Sequence, residues 1–285
     1  MKKIIKYCFI FLIALIPEGC ETDAVNVKVP DFEQKLVVTG FISPSDTVSY
    51  IFVTSNWPIY GLVKTDQSIG RLSGSISDGV NTAPLDTFRK GMKFDQSRFK
   101  INYGKKYNLS IRNDRGLSVE ATCQIPERRP FVIMADTAWL PMRHGWAMNE
   151  KSLQMIVKVK DIGNEENFYN VGSKGIISGK LPSGELIRHS FNNYEEVKSD
   201  KGLDGQELEW QIDTGFRDYA RLISAEITIY LYHTEESYYL YHRSLEKYHD
   251  NGNPFAESTP VYSNITGGLG VFTSYTVDSL IFSIK

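Results

Sequence analysis

The sequence predicts a mostly β protein: an N-terminal immunoglobulin-like β-sandwich, followed by a second antiparallel β domain that carries one amphipathic helix. Apolar and polar residues alternate over many short segments, which is the period of strands with one buried face. Aromatic residues make up 12% of the chain, with 16 Tyr and 15 Phe. Aromatic and β-branched residues are enriched in strands, so the composition agrees with the alternation.

Residues 35–127 are predicted to form the immunoglobulin-like sandwich, because this length and strand rhythm are typical of that architecture. Turn-forming residues separate the alternating segments, including an Asp-Arg-Gly turn at 114–116. Cys123 falls on the apolar side of its segment, which predicts a buried small side chain. The predicted strands are 35–42, 48–55, 71–77, 107–112 and 117–125.

Residues 128–285 are predicted to form the second antiparallel β domain, after a Pro-Glu-Arg-Arg-Pro break at 126–130. Its helix is expected at about 235–250, with Thr234 as the capping residue at its start. Apolar residues at helical spacing predict that one face of this helix packs on a sheet. The predicted strands are 131–137, 153–161, 168–178, 207–213, 223–231, 269–272 and 279–284.

The first 19 residues predict an export signal, since lysines precede an apolar run at 7–16 that is too short to span a bilayer. Gly19 and Cys20 resemble the end of a bacterial lipoprotein signal. The resemblance implies that Cys20 carries a lipid and anchors the protein in the outer membrane, on its periplasmic face or at the cell surface. Residues 20–34 then form a tether. The alternative is an ordinary secretory signal in which Cys20 is incidental.

Composition excludes several functions. A net charge of −2 and a pI near 6.2 offer no basic field for nucleic acid. Cys8 is removed with the signal and Cys20 is acylated, so Cys123 remains without an internal disulfide partner. The sequence contains no HExxH, CxxC or GxSxG motif. We therefore expect a protein that is not an enzyme and has no cofactor and no metal.

Two aromatic segments are the candidate binding residues. Trp57 and Tyr60 lie in the first domain, and Trp139, Arg143 and Trp146 lie in the second. Exposed aromatic side chains beside Arg are enriched in binding surfaces, so these segments predict contact with a glycan, a peptide or a partner protein. The alternative interpretation is that they pack the two domains together.

Oxygen-rich loops offer weaker candidates. Residues 161–167 contain several carboxylates and amides, which are ligands that Ca²⁺ takes, although an acidic turn between strands is the favoured interpretation. Asp200, Asp204 and Glu207 are candidate acid–base carboxylates. We expect these three to lie in a solvated loop.

Four segments resemble a family of Bacteroidota outer-membrane lipoproteins of unknown function, whose genes typically lie beside those for TonB-dependent receptors. They are KLVVTG at 35–40, CQIP at 123–126, LDGQE at 203–207 and NPFAESTPVYSNITGGLGVF at 253–272. The resemblance implies a lipoprotein that assists or binds such a receptor in nutrient capture. A surface glycan-binding module that uses exposed Trp residues is the alternative. The glycines at 267–270 are expected to permit a bulge or a close backbone approach.

Overall fold

A computed structural model describes residues 32–58, 68–142, 150–250 and 260–285, without the side chains of residues 249 and 250. The predictions for Cys20, Tyr60, Arg143 and Trp146 therefore lie outside the described residues. The predicted fold class is confirmed, because the described chain is mostly strand, in several sheets, with one helix. Its residues from 34 to 57 and from 68 onward belong to one compact unit.

Sixteen strands and one helix make up the described secondary structure. The strands are β1 (Leu36–Ile42), β2 (Val48–Ser55), β3 (Leu72–Ser77), β4 (Thr82–Pro84), β5 (Asp86–Thr87), β6 (Gly91–Asp95), β7 (Lys106–Asn113), β8 (Ser118–Gln124), β9 (Ile133–Pro141), β10 (Lys151–Lys160), β11 (Phe168–Lys180), β12 (Leu186–Tyr194), β13 (Lys198–Ser199), β14 (Glu207–Arg217), β15 (Arg221–Thr234) and β16 (Leu269–Ile284). The helix is α1 (Glu236–Asp250).

The first hydrophobic core lies between two groups of strands. One group has the order β16-β1-β2-β6-β5, and the other has the order β4-β3-β7-β8. Alternate residues of both groups point into this core, where Val38, Ile76 and Leu109 are almost fully buried. Cys123 is 1% exposed in the same core, which confirms the prediction of a buried small side chain. This arrangement is a sandwich of two sheets.

The second hydrophobic core also lies between two groups of strands. One group has the order β12-β11-β15-β16, and the other has the order β14-β10-β9. Trp210 of β14, Met155 of β10 and Ile229 of β15 are among its most buried residues. Strand β12 was not predicted. It turns Ile187 and Phe191 toward the core, but its inward positions also include His189 and Asn193, which bond to backbone carbonyls of β14.

The last strand serves both cores. Its first half pairs parallel with β1, and its second half pairs antiparallel with β15. The prediction of two strands at 269–272 and 279–284 is therefore wrong. A Cβ at Gly270 would lie 2.0 Å from the carbonyl oxygen of Val38, so the expected close backbone approach is confirmed. The predicted division into domains at residue 127 stays a prediction.

The helix lies on the outer side of this linking strand. Ser237 donates a hydrogen bond to Thr273 at 2.6 Å, and Tyr238 packs edge-on against Phe41 of β1. The prediction that Thr234 caps the helix is wrong, because Thr234 ends β15 and Glu235 accepts the first helical hydrogen bonds. No helix among the described residues has the length and apolar character needed to cross a bilayer.

Candidate binding site

The two described tryptophans of the predicted aromatic segments have different surroundings. Trp139 lies in β9, and its ring centroid is 6.1 Å from that of Phe216 at the edge of the second core. Trp57 follows β2 and is 63% exposed. Trp139 therefore packs within its own half of the molecule, whereas Trp57 faces solvent and is free to contact a ligand.

Trp57 lines an open groove of about 710 Å³. We call it the Trp57 groove. Three of its lining residues are cations, namely Arg71, Arg89 and Lys90. None of these cations was predicted, because they come from two separate segments of the sequence. The other lining residues that face the groove include Thr54, Ser55, Ile69 and Thr87.

The segment that carries Trp57 is tied to the first strand. The backbone N–H of Lys35 donates to the Asn56 side-chain oxygen at 2.8 Å, and the N–H of Asn56 donates to the Lys35 carbonyl at 3.2 Å. Reciprocal bonds of this kind fix the backbone on both sides of Asn56. The position of Trp57 at the groove therefore follows from strand pairing.

The second wall of the groove is bonded to the hairpin of β7 and β8. Asn113 donates to the carbonyl of Ile69 at 2.8 Å, and the N–H of Arg71 donates to Asp114 at 3.0 Å. The Arg71 side chain also pairs with Asp114 at 3.3 Å. The hydrogen bond from the Arg71 backbone is the main reason that the pKa of Asp114 is lowered, so this carboxylate stays charged and orients Arg71.

Gly70 is required by the same wall. Its φ is +72°, and a Cβ there would lie 2.1 Å from the Asp114 carboxylate. Only glycine adopts this left-handed backbone without a steric cost and leaves room for the carboxylate. The backbone conformation at Gly70 and Arg71 and the position of the Asp114 carboxylate therefore depend on each other.

The third wall is the tight turn between β5 and β6. The N–H of Phe88 donates to the Gly91 carbonyl at 2.9 Å, and the N–H of Val53 donates to the Lys90 carbonyl at 3.1 Å. Arg89 has a φ of +46°, which is uncommon for a residue with a side chain. A Cβ at Gly91 would lie 2.2 Å from the carbonyl oxygen of Ile51. Close packing against β2 thus fixes both Arg89 and Lys90 at the rim.

An aromatic surface adjoins the groove on the outer side of β2 and β6. We call it the Phe52 patch: Tyr50, Phe52 and Phe88, with Lys93. Phe52 is 58% exposed and Tyr50 is 42% exposed. The ring of Phe88 lies 5.1 Å from that of Tyr50 and 5.2 Å from the Lys93 ammonium. The Phe52 patch therefore combines exposed rings with a cation, as protein interfaces do.

The oxygen-rich loops form a different kind of cluster. Asp161, Asp200 and Asp204 bring carboxylate oxygens within 4.8 Å of one another. The expectation of a solvated loop is wrong for Asp200, which is only 2% exposed, because its loop folds against the 161–167 loop. Burial is the main reason that the pKa of Asp200 is raised.

Internal hydrogen bonds give this acidic cluster a structural role. Asp161 accepts from the Tyr169 hydroxyl at 2.6 Å and from the Gly205 N–H at 2.7 Å. Asp200 accepts from the Asn167 N–H at 3.0 Å. These bonds hold the two loops together. Carboxylate oxygens are also ligands that Ca²⁺ takes, but the acidic-turn interpretation explains every one of these contacts.

Cys123, His233 and His242 are packed in the interior. Burial raises the pKa of Cys123 well above its usual value, so it stays a thiol. Burial lowers the pKa of both His233 and His242 to about 4. The His233 ring stacks on Tyr169, and the His242 ring lies 4.3 Å from that of Tyr238. Each group thus contributes to packing.

These features define a mostly β protein with two packed cores, one linking strand and one charged, aromatic groove. The chain belongs to the family described as a domain of unknown function, DUF4249, whose model matches residues 22–281. A search of curated proteins found no match to it. Family membership confirms that the chain belongs to a family of unknown function, while the lipoprotein and receptor parts of the resemblance stay predictions.

Proposed function

We propose that this chain is a non-enzymatic, lipid-anchored outer-membrane protein that acts as an accessory or binding partner of a TonB-dependent receptor in nutrient capture. One observation carries the proposal. Phe52 and Trp57 are large apolar side chains, each more than half exposed, and they lie near the end of β2, Phe52 within the strand and Trp57 just after it. Exposed rings of this size are typical of interaction surfaces.

The residues around these rings support a protein partner. Arg89 lies 5.3 Å from the Phe88 ring centroid, and Lys93 lies on the opposite strand to Tyr50. Aromatic residues and Arg are enriched in interface hot spots, where they bury a large area and make charged contacts. The Phe52 patch therefore has the composition of a docking surface.

The sequence supports the membrane setting. Cys20 closes an apolar segment that resembles a lipoprotein signal, and each lipid methylene buried in a bilayer adds about 0.8 kcal/mol of binding. An anchored protein would find a membrane receptor by diffusion in two dimensions. Acyl-chain labelling of the wild type against Cys20→Ala tests this step, and equal labelling of the two would contradict it.

Copurification from detergent-solubilised envelopes at near-native expression tests the partner. We expect the wild type to bring down a TonB-dependent receptor, and the double variant Tyr50→Ser/Phe52→Ser to lose it. Tyr194→Ser is the matched control, because Tyr194 is 64% exposed on β12, which belongs to the strand group of the second core. A wild-type protein recovered alone, or a double variant that retains the receptor, would contradict the proposal.

A surface glycan-binding module is the second candidate function, and the exposed ring of Trp57 at the groove favours it. An indole ring stacks on the C–H face of a sugar, while the hydroxyls of Thr54 and Thr87 offer hydrogen bonds. Trp57→Ala should abolish retention on glycans without unfolding the protein. Retention equal to that of the wild type would remove this candidate. The assay needs no receptor, so it separates the two functions.

A further inference from the structure

We propose that the Trp57 groove selects carbohydrate chains that carry anionic groups, either carboxylates or sulfate esters. The inference rests on the second candidate function and names the class of glycan. Its starting point is the sign of the charges. Arg71, Arg89 and Lys90 all line the groove, and no described lining residue is acidic.

The cations of the groove keep most of their charge available. Asp114 pairs with Arg71, but only the Nε side of that guanidinium is engaged. Within the described residues, neither Arg89 nor Lys90 pairs with a carboxylate. A cleft lined by charges of one sign concentrates ligands of the opposite sign. The groove therefore attracts anions although the chain as a whole has a net charge of −2.

The geometry of these groups suits an acidic sugar. A guanidinium group binds a carboxylate or sulfate through two parallel hydrogen bonds. Trp57 supplies a flat apolar ring beside them, and Thr87 supplies a hydroxyl at the rim. A sugar ring that stacks on Trp57 would present its acidic substituent to the Arg89 and Lys90 side.

The groove is held in shape before any ligand binds. Hydrogen bonds and close glycine contacts fix the backbone of all three walls: Asn56 N–H to Lys35, the Asn113 side chain to Ile69, and Val53 N–H to Lys90. Preorganised sites lose less conformational entropy on binding. The backbone positions that carry the rim cations are therefore set before a ligand binds.

A second open groove of the molecule provides an internal contrast. It spans about 920 Å³ on β11, β12 and β15, and its lining includes Lys174, Arg188, Lys285 and the carboxylate of Glu226. Opposite charges on one surface weaken the attraction for an anionic chain. Neutralising Lys174 and Arg188 is therefore a matched control for the same change in the Trp57 groove.

The test uses the full-length chain purified in detergent and four polymers. Dissociation constants are measured for polygalacturonate, for the same polymer after complete methyl esterification, for dextran sulfate and for dextran. We expect at least one acidic polymer to bind about tenfold more tightly than its neutral counterpart, with the difference lost at high salt.

Variants of the lining residues show which side chains cause the preference for acidic polymers. Arg89→Gln/Lys90→Gln should abolish the preference for the acidic polymer, and Trp57→Ala should weaken its binding about tenfold. Lys174→Gln/Arg188→Gln should change neither quantity. Unchanged melting temperatures show that the variants are folded. An acidic preference that survives Arg89→Gln/Lys90→Gln would overturn the inference.

The remaining outcomes distinguish a failure of acid selection from a failure of the proposed glycan or receptor function. Equal binding of acidic and neutral polymers that is lost in Trp57→Ala would keep the glycan function and overturn acid selection. Failure of all four polymers to bind would overturn both, while copurification still decides the receptor proposal. Tighter binding of single-stranded poly(dT) than of either acidic polymer would assign the groove to nucleic acid and overturn the inference.

Discussion

Trp57 and Trp139 stand in similar sequence settings, yet the fold gives them opposite roles. Trp139 lies within β9 and contacts Phe216 at the second core. Trp57 lies just beyond the end of β2, where strand pairing has stopped and the ring projects over a groove. Of these two rings, the one inside a paired strand packs on the core and the one beyond a strand end stays exposed.

The surroundings of the two rings differ in the same way. Cations and hydroxyls surround Trp57, whereas Trp139 borders apolar side chains of the second core. Glycines maintain both environments. Gly91 lets the turn that carries Arg89 approach β2, and Gly179 leaves space for Phe216, whose ring would lie 2.5 Å from an added Cβ.

Gly91→Ala should have the largest effect, because it breaks the wall of the Trp57 groove. The added methyl group would meet the Ile51 carbonyl at 2.2 Å, and a backbone clash of this kind costs roughly 3 kcal/mol of the free energy of unfolding. Urea denaturation measures the loss. Gly116→Ala is the control, since its Cβ meets no atom within 4 Å and only its left-handed backbone costs about 1 kcal/mol. Equal losses would show that Gly91 tolerates a side chain.

Replacing each tryptophan by alanine separates the two roles directly. Trp139→Ala removes a half-buried ring from the second core and should lower the free energy of unfolding by about 2 kcal/mol. Trp57→Ala removes an exposed ring and should stay within about 0.5 kcal/mol of the wild type. Chemical denaturation of both variants is the measurement. A destabilised Trp57→Ala with a stable Trp139→Ala would reverse the assignment.

A pH titration should separate the stability of the protein from the affinity of its groove. His233 and His242 have pKa values near 4 when folded, against 6.5 for an unperturbed histidine. The unfolded chain therefore binds more protons between these values, and stability falls as the pH drops from about 6.5 to about 4. We expect a loss of about 3 kcal/mol from each histidine, measured as the free energy of unfolding.

The affinity of the Trp57 groove for anions should not follow the pH dependence of stability. Its cations are Arg71, Arg89 and Lys90, and its described lining contains no histidine or carboxylate. Binding of dextran sulfate between pH about 7 and about 5.5 should therefore change less than about twofold. His242→Phe should flatten part of the stability slope and leave binding unaltered. A groove affinity that follows the stability curve would contradict the separation of the two regions.

Alternation in the sequence predicted those strands that have one buried and one solvated face. The segments at 48–55 and 107–112 are of this kind, and both appear as strands. The pattern failed for β16, whose residues 271–274 are all buried because the first core lies on one side and α1 on the other. It also missed β12, where His189 and Asn193 occupy inward positions and bond to β14.

The sequence could predict the rings of the candidate site more readily than its charges. Trp57 was recognisable as a candidate because the chain has only four tryptophans and their rings are large. Arg71, Arg89 and Lys90 come together only through the pairing of β2 with β6 and through the contact of Asn113 with Ile69. Long-range pairing of this type leaves no local pattern. The same reason explains why the burial of Asp200 was missed.

Site-specific photo-crosslinking in cells tests most directly whether the Trp57 side of the molecule is the binding side. A photoreactive amino acid is placed at Phe52 or at Tyr194, two aromatic positions that are 58% and 64% exposed, on the strand groups of the first and the second core respectively. We predict adducts with an envelope partner from position 52 and none from position 194. The same adducts from both positions, or adducts from position 194 alone, would contradict the account.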